Sequence, residues 1–370
     1  MHKKRNSIII GIVLVFVVLS ASMYQFFRYD TYDVEATFER NDEDGTKYDT
    51  FDSNLIKYSS DGAFYTKEDG SLIWNVSYEY ANPTLKKTKD YVLIYDERGR
   101  GLELMDKEGV VLTLEMNMSI RRAAISNTGV IAILMEENHI SYLQLYASDG
   151  KKIAEGVIYP QNSGFPVSIA LSSDGKLLMV SEIDISEKKI SSRVVFYNFG
   201  RVGQNESDNI VASYLYEDET IPDVCFMKDD TPIAYSGETI HIFSKSEKPK
   251  ESKEIKYESK IRSIENDGSN FVVITENDNP EDSNAYLLEV FNKSGHRIGK
   301  RSFDYSYDSV SILPGSQIVI IDGNKINFYS RIGVNSFSGE MESNVYAVLS
   351  RGNGSYTVIE NNKSSRIRLR

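Results

Sequence analysis

The chain is short of the residues that most often announce chemistry. It has one cysteine, one tryptophan and four histidines in 370 residues. A single thiol closes no intramolecular disulfide. Cys225 lies in the apolar run 224–227 with no base or cation beside it, and reads as a small buried strand residue. His2, His139, His241 and His296 stand in no H-x-H or H-x-x-x-H spacing, so zinc has no support. His241 sits on a candidate strand as a packed or edge histidine; His139 and His296 fall near turns. There is no G-x-S-x-G elbow and no glycine-rich phosphate loop ahead of a helix. A Ser-His-Asp set assembled across a fold leaves no local trace in sequence. Asn41 to Gly45 looks faintly like a calcium loop, but the first and twelfth ligand positions would be Arg40 and Phe51, which cannot serve. Asp278, Glu281 and Asp282 read as a solvated acidic loop rather than a cation site. No catalytic, cofactor-binding or metal-binding residue is assigned, and no cofactor is expected.

A basic excess is missing too. Lys and Arg total 42 against 54 Asp and Glu, a formal net charge of −12. That argues against nucleic acid, or an anionic lipid face, as the main partner of the folded part. It also simply keeps a surface soluble.

Long apolar runs are absent with one exception. Residues 8–27, IIIGIVLVFVVLSASMYQFF, carry no formal charge and follow His2-Lys3-Lys4-Arg5. Twenty helical residues rise about 30 Å, the thickness of a bilayer's hydrocarbon. Tyr24, Phe26 and Phe27 stand where an interfacial aromatic belt would lie, and Asp30, Asp33 and Glu35 follow. The expected plan is a cytoplasmic tail at 1–7, a transmembrane helix at 8–27, a tether at 28–46 and a folded body at 47–370 outside the membrane. The rival is a cleaved signal peptide ending near Ser20-Ala21-Ser22, but the apolar run continues past those residues.

Beyond residue 27 no ten-residue helical stripe appears. What is there is a hairpin, repeated. LQLYASDGKKI (143–153) reads as strand, tight turn, strand. AFYTKEDGSLIW (63–74), LELMDKEGVVL (102–112) and VVFYNFGRVG (194–203) repeat it; weaker copies start at 240, 288 and 326. The turn glycines, among them Gly70, Gly109, Gly150 and Gly295, recur about every forty residues, with wider gaps around Gly200. That period suits four-stranded propeller blades. The expected units are 47–79, 80–116, 117–159, 160–216, 217–257, 258–305, 306–341 and 342–370. The last holds three candidate strands, and the alternation Val34-Glu35-Ala36-Thr37-Phe38 can supply a fourth. The count is eight blades, or seven if the terminal units merge. Residues 182–192 and 200–209 read as insertions, 245–256 as a charge-rich connector and 276–284 as an acidic loop. The 24 tyrosines suit strands first and a binding surface second.

SSDGAFYTKEDGSLIW (59–74) resembles a quinoprotein-type propeller repeat, in which an Asp-Gly turn precedes a Trp that docks between blades. Only Trp74 carries that signature, so no quinone cofactor is implied. GFPVSIALSSDGKLLMVS (164–181, with its turn at Gly175) and VVFYNFGRVGQN (194–205) resemble uncharacterised membrane-anchored propellers of Gram-positive bacteria, WD40-like in plan. That resemblance covers nearly the whole chain. It implies fold and location and no activity, so Trp74, Gly70, Gly109, Gly150, Gly175 and Gly295 are structural expectations. The functional expectation is a non-enzymatic module gripping a protein, peptide or cell-wall glycan outside the membrane. The alternative is a surface glycan hydrolase or lyase, which would need two or more buried carboxylates converging on one pocket. A sensor with so short a cytoplasmic tail would have to signal through a partner's helix.

Overall fold

A computed structural model describes residues 28–39, 42, 45–67, 70–160, 164–185, 189–361 and 363–370. They form thirty-two strands in eight four-stranded antiparallel sheets. In seven sheets strand order follows sequence order, so each is a simple meander: blades 1 to 7 occupy residues 47–77, 83–115, 119–158, 165–217, 223–256, 261–303 and 309–340. The described residues make two compact units: those from 42 to 305 hold blades 1–6, and those of 28–39 with 306–370 hold blades 7 and 8.

Blade 8 is built from both ends of the chain. Its strands Val345–Gly352, Ser355–Glu360 and Lys363–Leu369 are joined by Tyr32–Glu39, which pairs antiparallel with Lys363–Leu369 from Tyr32↔Leu369 to Glu39↔Lys363. A bulge falls between Val34 and Ala36. The pairing has charged rungs, Glu35 with Arg368 at 2.5 Å and Asp33 with Arg370. Tyr32 also donates from its hydroxyl to the Glu340 carbonyl of blade 7 (3.0 Å) and meets Phe337 edge-on. Within the stretch read as a tether, Tyr32–Glu39 is therefore the outer strand of a sheet. The count is eight, and the seven-blade alternative fails because the terminal segments complete one sheet without merging two.

The core lies between sheets. The second strand of blade 2, Val92–Asp96, is buried throughout. Its Val92 and Ile94 pack toward blade 1 with Ile56, Tyr65 and Trp74, while Leu93 and Tyr95 pack toward blade 3 with Ile120, Ile131 and Ile133. A strand covered on both faces needs an apolar residue at every position, which is why these segments read as continuous apolar runs. The same division recurs in blade 4: Leu178 and Val180 face blade 3, Leu177 and Met179 face blade 5. Each such side chain contributes about 1.5–3 kcal/mol when fully buried.

Three expectations need correction. Residues 245–256 are not all connector, because Glu251–Lys256 is the fourth strand of blade 5; charge there protects an exposed sheet edge. The turn after Ser191–Asn198 is not a tight glycine turn at Gly200 but two short 3-10 turns, and Gly203 is the constrained glycine: a Cβ there would lie 1.6 Å from the Asn198 carbonyl oxygen. Cys225 is half-buried rather than buried, with Sγ 3.9 Å from Asn266 Nδ2. The apolar run at 8–27 lies outside the described residues; among those described, no helix is long and apolar enough to cross a membrane.

Candidate functional site

The buried carboxylates are spread over the blades. Asp96 and Glu103 lie in blade 2, Glu182 in blade 4, Glu289 in blade 6 and Glu360 in blade 8. Four of them have partners. Asp96 accepts from the Asn82 amide (2.7 Å), Glu103 from the Thr113 hydroxyl (2.5 Å), Glu289 from Arg297 (2.5 Å) and Glu360 from Ser365 (3.0 Å). Burial raises the Glu103 carboxyl above its ordinary range against the Thr113 hydrogen bond. Glu182 differs: it is 1% exposed and its Oε2 has no partner among the described residues. Burial pushes its carboxyl up to about 8, with the charge of Arg193 opposing. A neutral acid costs less to bury than a carboxylate, so Glu182 is protonated at neutral pH.

One polar network sits on the first strands of blades 4 and 5. Asp223 accepts from Ser168 Oγ (2.5 Å) and from the Tyr235 hydroxyl (2.7 Å). Among the described residues no histidine is hydrogen-bonded to Ser168 or Asp223, which differs from the serine-hydrolase arrangement. The residue is half-buried as a whole but its sulfur is enclosed, and that burial with the charge of Asp223 pushes the Cys225 thiol up to about 12. Burial, with Asp223 adding to it, also raises the carboxyl of Glu265.

The most charged buried cluster surrounds His241, on the third strand of blade 5 (Thr239–Phe243). The ring is 2% exposed. Nδ1 lies 2.7 Å from Glu251 Oε1 and Nε2 lies 3.1 Å from Glu219 Oε1. Tyr216 of blade 4 covers the ring, centroid to centroid 4.1 Å, and donates to Glu251 Oε2 at 3.1 Å. Burial lowers the histidine's pKa, but the two carboxylates outweigh it and hold the value above 6.5. Because the two ring nitrogens point apart, the carboxylates flank the ring and cannot meet at one ion. Among the described residues no group of three His, Cys, Asp or Glu side chains could hold a metal.

Of the residues expected to be structural, Trp74 and three of the glycines lie against a neighbouring blade. Trp74 Nε1 donates to the Asp106 carbonyl of blade 2 at 3.0 Å, and its ring lies 5.1 Å from Tyr65. Gly70, Gly109, Gly150, Gly175 and Gly295 all take positive φ. At three of them a Cβ would also press on the preceding blade: 3.1 Å from Leu112 at Gly150, 2.8 Å from Val130 at Gly175 and 2.5 Å from Ile242 at Gly295. The Ser-Asp-Gly turns do more than reverse the chain. Ser173 accepts at its carbonyl from the Asn127 amide of blade 3 and donates from its amide and hydroxyl to Asp230 of blade 5 (2.6 and 2.7 Å). Asn138 and His139, with φ of 52° and 64°, form a two-residue hairpin turn, and His296 is exposed. The acidic loop closes on itself: Asp282 accepts from Asn284, and hydrogen bonds from Ser302 and Asn284 hold its carboxyl down at about 2. A shallow cleft of about 290 Å³ at blade 1 is lined by Asp42, Lys57, Tyr58 and Phe64, and Asp42 and Lys57 pair within it.

With this geometry the chain can be compared with known proteins. The model of a family of unknown function, DUF5711, matches residues 25–369. The chain belongs to the DUF5711 family. No curated protein matches this DUF5711 chain significantly in sequence. Among solved structures it is similar to BamB from Moraxella catarrhalis (12% identity, TM-score 0.51, 92% of this chain and 100% of that one). It is similar to apo AztD from Citrobacter koseri (8%, 0.54, 82% and 88%) and to Hsv2p from Kluyveromyces lactis (13%, 0.51, 81% and 100%). At these identities the likeness extends to the fold alone, and that fold is a β-propeller of four-stranded blades.

Proposed function

We propose that this DUF5711 propeller is a binding or scaffold module for a protein partner, held outside a cytoplasmic membrane by residues 8–27 with residues 1–7 inside. The observation that carries the reading is a run of exposed apolar side chains on adjacent outer strands. Val110 and Val111 of blade 2 are 48% and 38% exposed, and Ile153 and Val157 of blade 3 are 47% and 45% exposed. The corresponding strand of blade 5, ESKEIK, is charged instead. Blades 2 and 3 touch beside that surface, where Gly150 approaches Leu112. Lys152 and Glu155, on the strand of Ile153 and Val157, already pair with one another, and the apolar side chains beside that pair suit a protein surface or an added peptide strand better than a hydroxyl-rich glycan. The anchoring half of the reading rests on the length and charge flanks of 8–27.

A photo-crosslinker placed at Val157 in whole cells is expected to give a reproducible protein adduct in the membrane fraction. The same crosslinker at Lys256 gives none, and Ile153→Asp removes the Val157 adduct. An adduct equally strong from Lys256, or none from Val157, would remove the case for this surface.

A further inference from the structure

We propose that His241 is a proton-operated clasp that fastens the outer loop of blade 5 onto blade 4. The loop, residues 244–250, leads from the histidine's strand to the fourth strand, Glu251–Lys256. It lies across blade 4 at three points. Asn198 Nδ2 donates to the Glu247 carbonyl (3.2 Å), the Tyr214 hydroxyl donates to the Pro249 carbonyl (2.8 Å), and Lys248 pairs with Glu206. The far end of the loop is Glu251, which His241 and Tyr216 hold together.

The chemistry of the ring makes this joint two-state. An imidazolium has two N–H donors and serves both Glu219 and Glu251; a neutral imidazole has one donor and turns a lone pair toward the other carboxylate. One contact must then open, and the structure identifies which. Glu219 also receives hydrogen bonds from Ser236 and Thr239, and after burial is offset, these and His241 hold its carboxyl below the usual range. Among the described residues the Glu251 carboxylate is met by Tyr216 besides the ring, and it begins an outer strand with solvent on one side. Glu251 is the partner that leaves, and the loop end leaves with it. The titratable groups facing the ring are Glu219 from the inter-blade linker, Glu251 and the cross-strand Glu254 from the fourth strand, and Tyr216 from blade 4. Tyr216 is pushed far above its ordinary value by burial and then by Glu251, so it stays a neutral donor throughout.

The direction in pH follows. The histidine's folded pKa lies above 6.5, so the clasp is fully closed below about pH 6.5 and opens as pH rises through the folded value. On the acid side it holds until Glu219 protonates, below the usual glutamate range. The test is hydrogen–deuterium exchange of the full-length chain between pH 5.5 and 9, corrected for intrinsic rates. Peptides covering 244–256 are expected to exchange about fivefold faster at the alkaline end, as for loss of one buried hydrogen bond. Peptides from the second strand of blade 2 should not change. His241→Gln should make the 244–256 exchange independent of pH. Wild-type exchange that stays flat across the range overturns the clasp, as does the same pH dependence in His241→Gln. Should that variant misfold, the NMR titration of the His241 ring in the unmodified chain decides: a midpoint at or below 6.5 overturns the proposal, one above it supports it.

Discussion

Trp74 shows how a single side chain serves two blades. It fills the space beside Tyr65 and reaches across to the Asp106 carbonyl. Trp74→Phe keeps an aromatic ring but leaves that carbonyl without its donor and the pocket underfilled, and is expected to cost about 1–3 kcal/mol. The midpoint of urea unfolding measures it. Glu182 works in the opposite sense. Its carboxyl titrates near 8 in the fold and near 4.5 in an unfolded chain. An acid whose folded value is raised loses stability as pH rises from the unfolded value to the folded one, because only the unfolded state ionises. Glu182→Gln should therefore flatten the stability profile over that window, gaining on the order of 3 kcal/mol relative to wild type between pH 5 and pH 8. Neither role is visible in sequence. Glu182 is one acid among 54 Asp and Glu residues, and its isolation comes from the neighbouring strands.

At the scale of strands, Tyr32–Glu39 carries the sharpest test. Without it, Lys363–Leu369 becomes an unpaired edge with Ile367 and Leu369 on it. A chain lacking residues 29–39 should unfold at lower urea and aggregate, and a synthetic peptide of residues 29–40 added in trans should restore the wild-type midpoint, which light scattering and urea titration both follow. Failure of the peptide to bind would mean the strand contributes little beyond its tether. Strand positions were legible in sequence wherever both faces of a strand are covered. Val92–Asp96, Ile131–Glu137 and Gln317–Asp322 announce themselves as apolar runs because they touch two neighbours. The boundaries of the repeating units were legible for the same reason. Fourth strands were less so. Glu251–Lys256 has one covered edge and little apolar content, so it reads as a charged linker. The His241 cluster was illegible because its partners lie ten residues downstream and twenty-two upstream, joined only by the packing of blade 4 on blade 5. The Asp106 acceptor for Trp74 lies thirty-two residues away; the docking habit of such tryptophans gave the direction, and the structure gave the partner.

At the scale of the whole molecule, the apolar run at 8–27 and the acidic excess lead to a prediction about location. The intact chain should stay with membranes through an alkaline carbonate wash, and a chain beginning at residue 28 should be released to the soluble fraction; release of both would remove the anchor from the account. The released chain, with its acidic excess, should not sediment with anionic vesicles at physiological salt. Blade 8 also sets a schedule for synthesis. The strand Tyr32–Glu39 leaves the ribosome well before its hydrogen-bonding partner, Lys363–Leu369, which lies more than 300 residues further along the chain. At about 5–20 residues per second the early strand waits roughly 20–70 s for its mate. During that interval it must be kept from pairing with other nascent chains, and every copy that terminates translation early lacks the means to finish the sheet.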